Sequence, residues 1–150
     1  MKGVRKQFSK ALHDGHDEKA RNQAKAFWTK RGYLVKDNPN TKGVDLFLCN
    51  PDTEEIMAYL EVEVKNNWNS KAFQYDTLQI PERKARYFVE YGDKIIYMVF
   101  SKDLTQAFIA DSLSFKNAKL KEVPNKFVSK GEYFYQVPVK DCDLVSMEEA

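Results

Sequence analysis

The segment YLEVEVKNNW (59–68) places charged side chains along one side of a predicted β-strand. Because successive strand side chains point to opposite faces, three aliphatic residues share one face and the charged residues share the other. The charged face carries two carboxylates and an ammonium, those of Glu61, Glu63 and Lys65. Such a row is either a solvated outer face or part of a metal site. A carboxylate can bind a hard cation such as Mg²⁺, and a nearby ammonium can orient a water molecule or offset the charge of a phosphate.

A third acidic residue, Asp45, stands at the start of the preceding apolar segment VDLFLCN (44–50). Aspartate is depleted in β-strands, so this position needs a reason. In a hairpin formed by 44–50 and 56–65, Asp45 could face Glu63 across the strand pair. Two carboxylates that converge in this way are costly unless a cation lies between them. The alternative is an aspartate that caps the loop at 41–43.

The pattern of predicted elements favours an α/β fold in one domain, residues 1–150, with a mixed central β-sheet flanked by α-helices. Helices are predicted over 17–31, capped by Asp14 or Asp17, and from Pro81 to Gly92. Strands are predicted at 33–35, 44–50, 56–65, 94–100, 106–115 and 132–139. Residues 66–80 are predicted to be irregular, and residues 116–130 show a mixed pattern that assigns neither helix nor strand. We expect a flexible basic arm over 1–13 and a frayed acidic tail over 141–150.

Composition is that of an ordinary globular protein, with 43% hydrophobic and 31% charged residues. No apolar run approaches the ~20 residues that a membrane span needs, so no membrane association is expected. The N-terminus lacks the apolar core of a secretory signal, which favours the cytoplasm. Cys49 and Cys142 do not form a metal-binding spacing and are expected to be free thiols.

Taken in order, the chain has a glutamate on a helix (Glu18), GVDL with Asp45, a hairpin, and EVEVK. In this order and spacing it resembles the PD-(D/E)XK nuclease superfamily, restriction-endonuclease-like proteins, and most of all its small members similar to archaeal Holliday-junction resolvases. The resemblance covers roughly residues 17–100. Val44 stands where the superfamily name has proline, and the literal Pro51-Asp52 lies in a stretch with turn chemistry.

This resemblance implies a metal-dependent DNA endonuclease in which metal-activated water attacks the scissile phosphate. It implies that Asp45, Glu63 and the backbone carbonyl of Val64 bind Mg²⁺ or Mn²⁺, that Lys65 is the catalytic lysine, and that Glu18 lies near the metal. Glu61 is either an extra ligand or a salt-bridge partner below the site, and the second reading is favoured. DNA is the expected partner, and cleavage of two strands suggests a homodimer.

Two other functions stay open at this point. One is a non-catalytic module that binds nucleic acid or protein on the same fold, and the other is an unrelated α/β protein. Arg83 and Lys84, near the predicted helix start at Pro81, bind either a phosphate of the nucleic acid or only solvent. Three aromatic residues could stack on bases or form core: Trp68, Phe73 and Tyr75. His13 and His16 are expected to be exposed rather than metal ligands.

Overall fold

The computed structural model describes residues 10–40, 42–69, 72–125 and 128–147, with side chains for all of these except 10–17, 123–125 and 128–131. Two α-helices and nine β-strands make up this part of the chain. In order they are α1 (Lys10–Lys30), β1 (Leu34–Asp37), β2 (Leu46–Cys49), β3 (Ile56–Lys65), β4 (Thr77–Pro81), α2 (Arg86–Tyr91), β5 (Ile95–Ser101), β6 (Gln106–Ala110), β7 (Lys119–Asn125), β8 (Val128–Pro138) and β9 (Asp143–Ser146).

The strands form two sheets. A six-stranded sheet has the order β1-β2-β3-β5-β6-β9, in which only the β3–β5 pair is parallel, and a three-stranded antiparallel sheet has the order β4-β8-β7. The predicted α/β class with a mixed sheet is confirmed. Helices flank it less than expected: α1 packs on one face of the large sheet, while β4, β8 and α2 pack on the other.

The alternation along β3 sets its two faces. Leu60 is fully buried under α1, beside Phe27 and Trp28, and the valines at 62 and 64 pack against the same cluster. The charged residues at 61, 63 and 65 therefore face the second layer, where the small sheet and the segment after β4 cover them. The charged row is not a solvated outer face.

Helix α1 is longer than predicted and begins at Lys10, so Asp14 and Asp17 lie inside it and are not its cap. Its buried stripe consists of small and aromatic residues, which include Ala20, Ala24 and Phe27, all at 0% exposure. The position of this stripe agrees with the 3.6-residue period of the sequence, and its small residues let the helix approach β3 closely. The chain then leaves the helix through Gly32, whose φ of 96° favours glycine.

Several predicted boundaries are wrong because short strands show too few repeats of an alternating pattern. Strand β4 lies inside the stretch read as irregular, and β7 inside 116–130. Residues 106–115 form β6 followed by a short 3₁₀-helix, Ser112–Phe115. Part of the expected frayed tail over 141–150 is β9, which pairs with β6. Of the expected basic arm, 10–13 belong to α1, and 1–9 lie outside the described residues.

The hairpin of β2 and β3 contains an irregularity that matters for the site. Leu48 pairs with Ala58, but Cys49 pairs with Ile56, so β3 carries one extra residue in a β-bulge. The turn is closed by Asn50 N–H donating to Glu55 O at 2.8 Å, and Glu54 adopts a positive φ of 63°. Asp52 lies exposed in this turn, as predicted. None of the described helices is long and apolar enough to cross a membrane.

Candidate active site

Asp45 lies one residue before β2 and turns its carboxylate toward β3. Its N–H donates to Leu60 O at 3.1 Å, and its Oδ2 accepts a hydrogen bond from the N–H of Val62 at 2.8 Å. Since Leu46 pairs with Leu60, the residue before it lies opposite Glu61. The expectation that Asp45 faces Glu63 is therefore wrong. Among the described residues, its carboxylate bonds to β3 and not to the loop residues 42–43 that the alternative reading had it cap.

Glu61 is the acid that meets Asp45. It is only 7% exposed, although its side chain carries an ionisable carboxyl group. Burial raises the pKa of Glu61 to about 8; Lys84 opposes this rise and the hydrogen-bonded carboxylate of Asp45 adds to it. Two acids in contact in a water-poor site favour a cation beside them, because a positive charge lets both ionise.

Lys84 supplies one such charge. Its Nζ lies 2.9 Å from Glu61 Oε2, and the two side chains are 17% and 9% exposed. Burial alone would lower the pKa of Lys84, but the carboxylates of Glu63, Glu61 and Asp45 outweigh it, so that the pKa is raised and the amine stays charged. The side chain is thus held inside the site by acids and does not lie on a solvated basic face.

Glu63 and Lys65 lie further along the same face. Lys65 Nζ is 3.6 Å from Glu63 Oε1 and donates a hydrogen bond to Gln79 O at 2.6 Å. The second oxygen of Glu63, Oε2, is buried and has no hydrogen-bond partner in the described structure. A buried carboxylate oxygen without a partner is costly, so a water molecule or a cation is expected to satisfy it.

An open cavity of about 390 Å³ lies over Asp45, Glu61 and Lys84. Its acidic floor consists of the carboxyl groups of Asp45 and Glu61, with the ammonium of Lys84 beside them. Cations surround its mouth: Lys42, Arg83 and Arg86. Arg86 is oriented by hydrogen bonds from its Nη2 to Lys42 O at 2.8 Å and to the Tyr87 hydroxyl at 3.0 Å. The arrangement suits a phosphate diester. Its charged oxygens can bind the rim cations while its phosphorus lies above the acids of the floor.

Sequence reasoning missed two of the rim cations. Lys42 stands just before the GVD segment, and Arg86 follows Arg83 by one helical turn, so both could have been found from their spacing to predicted site residues. The predicted phosphate site at a helix start is not supported. Arg83 and Lys84 lie in a 3₁₀-helix, Glu82–Ala85, and α2 that follows has only 6 residues. Arg83 is 53% exposed, with Nη1 3.9 Å from Glu132 Oε2.

Of the remaining predicted residues whose side chains the structure describes, none lines this cavity. Glu18 is exposed on α1, and no hydrogen bond or ion pair within the described chain joins it to the acids of β3. Trp68 is core, at 2% exposure, whereas Tyr75 is exposed. The side chains of His13 and His16 lie outside the described residues.

The residues of the site fit a divalent cation that uses few protein ligands. Within the described part of the chain, no three His, Cys, Asp or Glu side chains form a group that could hold a metal ion. The site instead offers the adjacent carboxylates of Asp45 and Glu61, with the unpartnered Oε2 of Glu63 on the same face. Mg²⁺ commonly uses one or two carboxylates and completes its shell with water and substrate phosphate. Val64 pairs with Phe100 of β5. Its backbone carbonyl stays a predicted metal ligand.

Comparison of the whole structure with solved structures finds a nuclease from a fusselovirus, a virus protein. The two chains are 11% identical and superpose with a TM-score of 0.52 over 97% of this chain and 92% of the viral one. This chain shares the fold of that nuclease. Neither a family model nor a curated protein matches the sequence.

Proposed function

We propose that the chain is a metal-dependent DNA endonuclease of the PD-(D/E)XK superfamily. The observation that carries the proposal is the cavity whose floor holds Asp45 and Glu61 and whose mouth holds three cations. An acidic floor inside a basic rim is the charge distribution expected for binding a phosphate diester together with a divalent cation. The shared fold with a viral nuclease supports the same function, although a fold alone does not establish one.

In this proposal Asp45 and Glu61 hold Mg²⁺ or Mn²⁺, with Glu63 beside them. A bound divalent cation supplies Lewis-acid activation of water and of the phosphate. Lys84, within 2.9 Å of Glu61, offsets negative charge on the phosphate as water attacks phosphorus and a bridging P–O bond breaks. Lys65, whose ammonium contacts Glu63 and Gln79 O, would orient the water. The site thus has two lysines, and the EVEVK motif accounts for one of them.

A cleavage panel tests the proposal. Duplex, single-stranded, nicked and four-way DNA are incubated with Mg²⁺, Mn²⁺, Ca²⁺ or EDTA, and products are resolved on denaturing gels. We expect cleavage with Mg²⁺ or Mn²⁺ and none in EDTA. Asp45→Asn should abolish it, and Asp52→Asn, which alters an aspartate in the exposed turn, is the matched control that should cleave normally. Cleavage that survives EDTA, or an inactive Asp52→Asn with a wild-type-like Asp45→Asn, would contradict the proposal.

A second function is favoured by one observation. The ammonium of Lys84 already neutralises one charge of the acid pair, so the protein itself offsets part of the negative charge without a metal. A module that binds nucleic acid without cutting it would need no more than this and the basic rim. Binding by fluorescence anisotropy with no cleavage of any substrate in Mg²⁺ or Mn²⁺ would establish the module instead of the enzyme.

Cleavage of both strands of a duplex by a chain with one such site calls for two copies, so a homodimer belongs to the proposal. Light scattering after gel filtration, with and without duplex DNA, measures the number of copies. A chain that stays monomeric on DNA and nicks only one strand would remove the dimer from the proposal and leave the chemistry in place.

A further inference from the structure

A second cavity adjoins the candidate active site at the other end of the charged row on β3. It has a volume of about 220 Å³ and lies between the end of β3 and β4. Its lining mixes aromatic, amide, hydroxyl and ammonium groups: Lys65, Asn67, Phe73, Tyr75, Thr77 and Gln79. This is smaller than the roughly 300–1,000 Å³ of pockets for drug-sized ligands, so the cavity suits a single small ring system.

The aromatic wall of this cavity is braced from behind. Phe73 packs edge-on against Trp68 and Phe108, with ring centroids 5.3 Å apart in both cases. Tyr75 in turn packs against Phe73 at 5.5 Å, yet it is 52% exposed. Tyr75 is therefore an aromatic ring supported on one side by core and open to solvent on the other. Such rings are the platforms on which proteins stack nucleobases.

The polar lining complements the edges of a base. Asn67 and Gln79 each carry an amide that can donate and accept hydrogen bonds, and Thr77 adds a hydroxyl. A nucleobase is a flat ring whose rim alternates donors and acceptors, so it needs one aromatic face and a few groups of this kind. Lysine next to them matches the phosphate that every nucleotide carries.

Lys65 connects this cavity to the acids. Its Nζ is 3.6 Å from Glu63 Oε1 while its side chain lines the cavity. We propose that this cavity binds an unpaired nucleobase of the strand whose phosphate lies at the acidic floor. A paired base cannot enter without leaving its duplex, which costs unstacking and unpairing energy. The inference rests on the proposed function and narrows its substrate to single-stranded or branched nucleic acid.

Binding without catalysis tests this inference. Oligodeoxynucleotides that carry one 2-aminopurine are titrated with protein in EDTA, as single strands and as duplexes, and the base fluorescence reports stacking. We expect quenching for the single strand, with affinity about tenfold weaker for Tyr75→Ala and unchanged for Tyr75→Phe, which keeps the ring. Tyr133→Ala is the matched control, because Tyr133 is 47% exposed on β8 and does not line the cavity. Oligoribonucleotides in parallel show whether the base comes from DNA or RNA.

The outcomes separate this inference from the proposed function. If Tyr75→Ala binds single strands as tightly as wild type while Mg²⁺-dependent cleavage persists, the base pocket is refuted and the nuclease stands. If single strands bind with Tyr75-dependent quenching but nothing is cleaved in any metal, the pocket stands and the nuclease is refuted. Equal quenching of paired and unpaired 2-aminopurine would also overturn the inference.

Discussion

Replacing Lys84 with methionine removes the ammonium that contacts Glu61 while keeping a side chain of similar shape. Removing one partner of a buried ion pair costs about 3–5 kcal/mol when the remaining charge stays buried. Glu61 can avoid part of this cost by taking up a proton, after which the loss is about 1–3 kcal/mol, that of a poorly satisfied buried polar group. Both partners are well buried, so solvent screening does not cancel the effect.

The size of this loss depends on pH. Burial raises the pKa of Glu61 to about 8 from an ordinary value of 4.5, although Lys84 acts to lower it. Between these values the folded state keeps a proton that the unfolded state has released, so stability falls as pH rises toward about 8. Without Lys84 the pKa of Glu61 rises further, and the fall continues above pH 8 at up to about 1.4 kcal/mol per pH unit. We expect Lys84→Met to lose about 1–3 kcal/mol at pH 7 and more at pH 9.

Urea denaturation followed by the fluorescence of the buried residues Trp28 and Trp68 measures this loss, in EDTA at both pH values. Lys94→Met, at an exposed lysine, is the matched control and should stay within about 0.5 kcal/mol of wild type. Adding Glu61→Gln to Lys84→Met should recover part of the stability and remove the pH dependence. A loss that is equal at pH 7 and pH 9 would refute the coupling between the two side chains.

Three further predictions follow from the site and its surroundings. Because Glu61 meets Asp45, Glu61→Gln should reduce cleavage at least as much as Glu63→Gln; steady-state rates with Mg²⁺ measure both, and a nearly silent Glu61→Gln would restore the motif-based choice of Glu63. Arg83→Gln should weaken DNA binding and reduce its salt dependence by about one phosphate contact in anisotropy titrations, without changing stability; an unchanged slope would remove it from the interface. Burial raises the pKa of the Cys142 thiol to about 11, so in Cys49→Ser iodoacetamide labelling should be slow at pH 8 and rise about tenfold per pH unit toward pH 11, whereas rapid labelling at pH 8 would contradict this environment.

The elements with strong periodicity could be predicted from the sequence. Strand β3, Ile56–Lys65, has the predicted bounds because aliphatic and charged residues alternate along it without a break. Its two faces also follow from that alternation. What the pattern could not give was the layer that covers the charged face, because Leu78 and Ile80 of β4 come after an irregular polar stretch.

The grouping of acids and lysines was predicted in kind, but the contacts between them were not. Residue types pointed to an acidic cluster beside lysines, and Asp45 belongs to it. The choice between Glu61 and Glu63 depends on which residues pair across the hairpin. Both glutamates lie on the same face of β3, so the alternation of side chains alone cannot tell which of them is opposite Asp45. Lys84 was found for its place near a predicted helix start, whereas its contact with Glu61 depends on tertiary packing between the 3₁₀-helix and β3.

The extra residue in β3 at the β2–β3 hairpin has a consequence for how this protein can change during evolution. Without it, Asp45 would lie opposite Leu60 and share the face that packs under α1. Surface turns usually accept insertions and deletions freely. Here a single-residue insertion or deletion that enlarged or removed the bulge would shift the register by one residue. The Asp45 carboxylate would then move from the cavity into the apolar core. The turn at 50–55 is therefore expected to vary in its residues while its length, counted together with the bulge, is under selection.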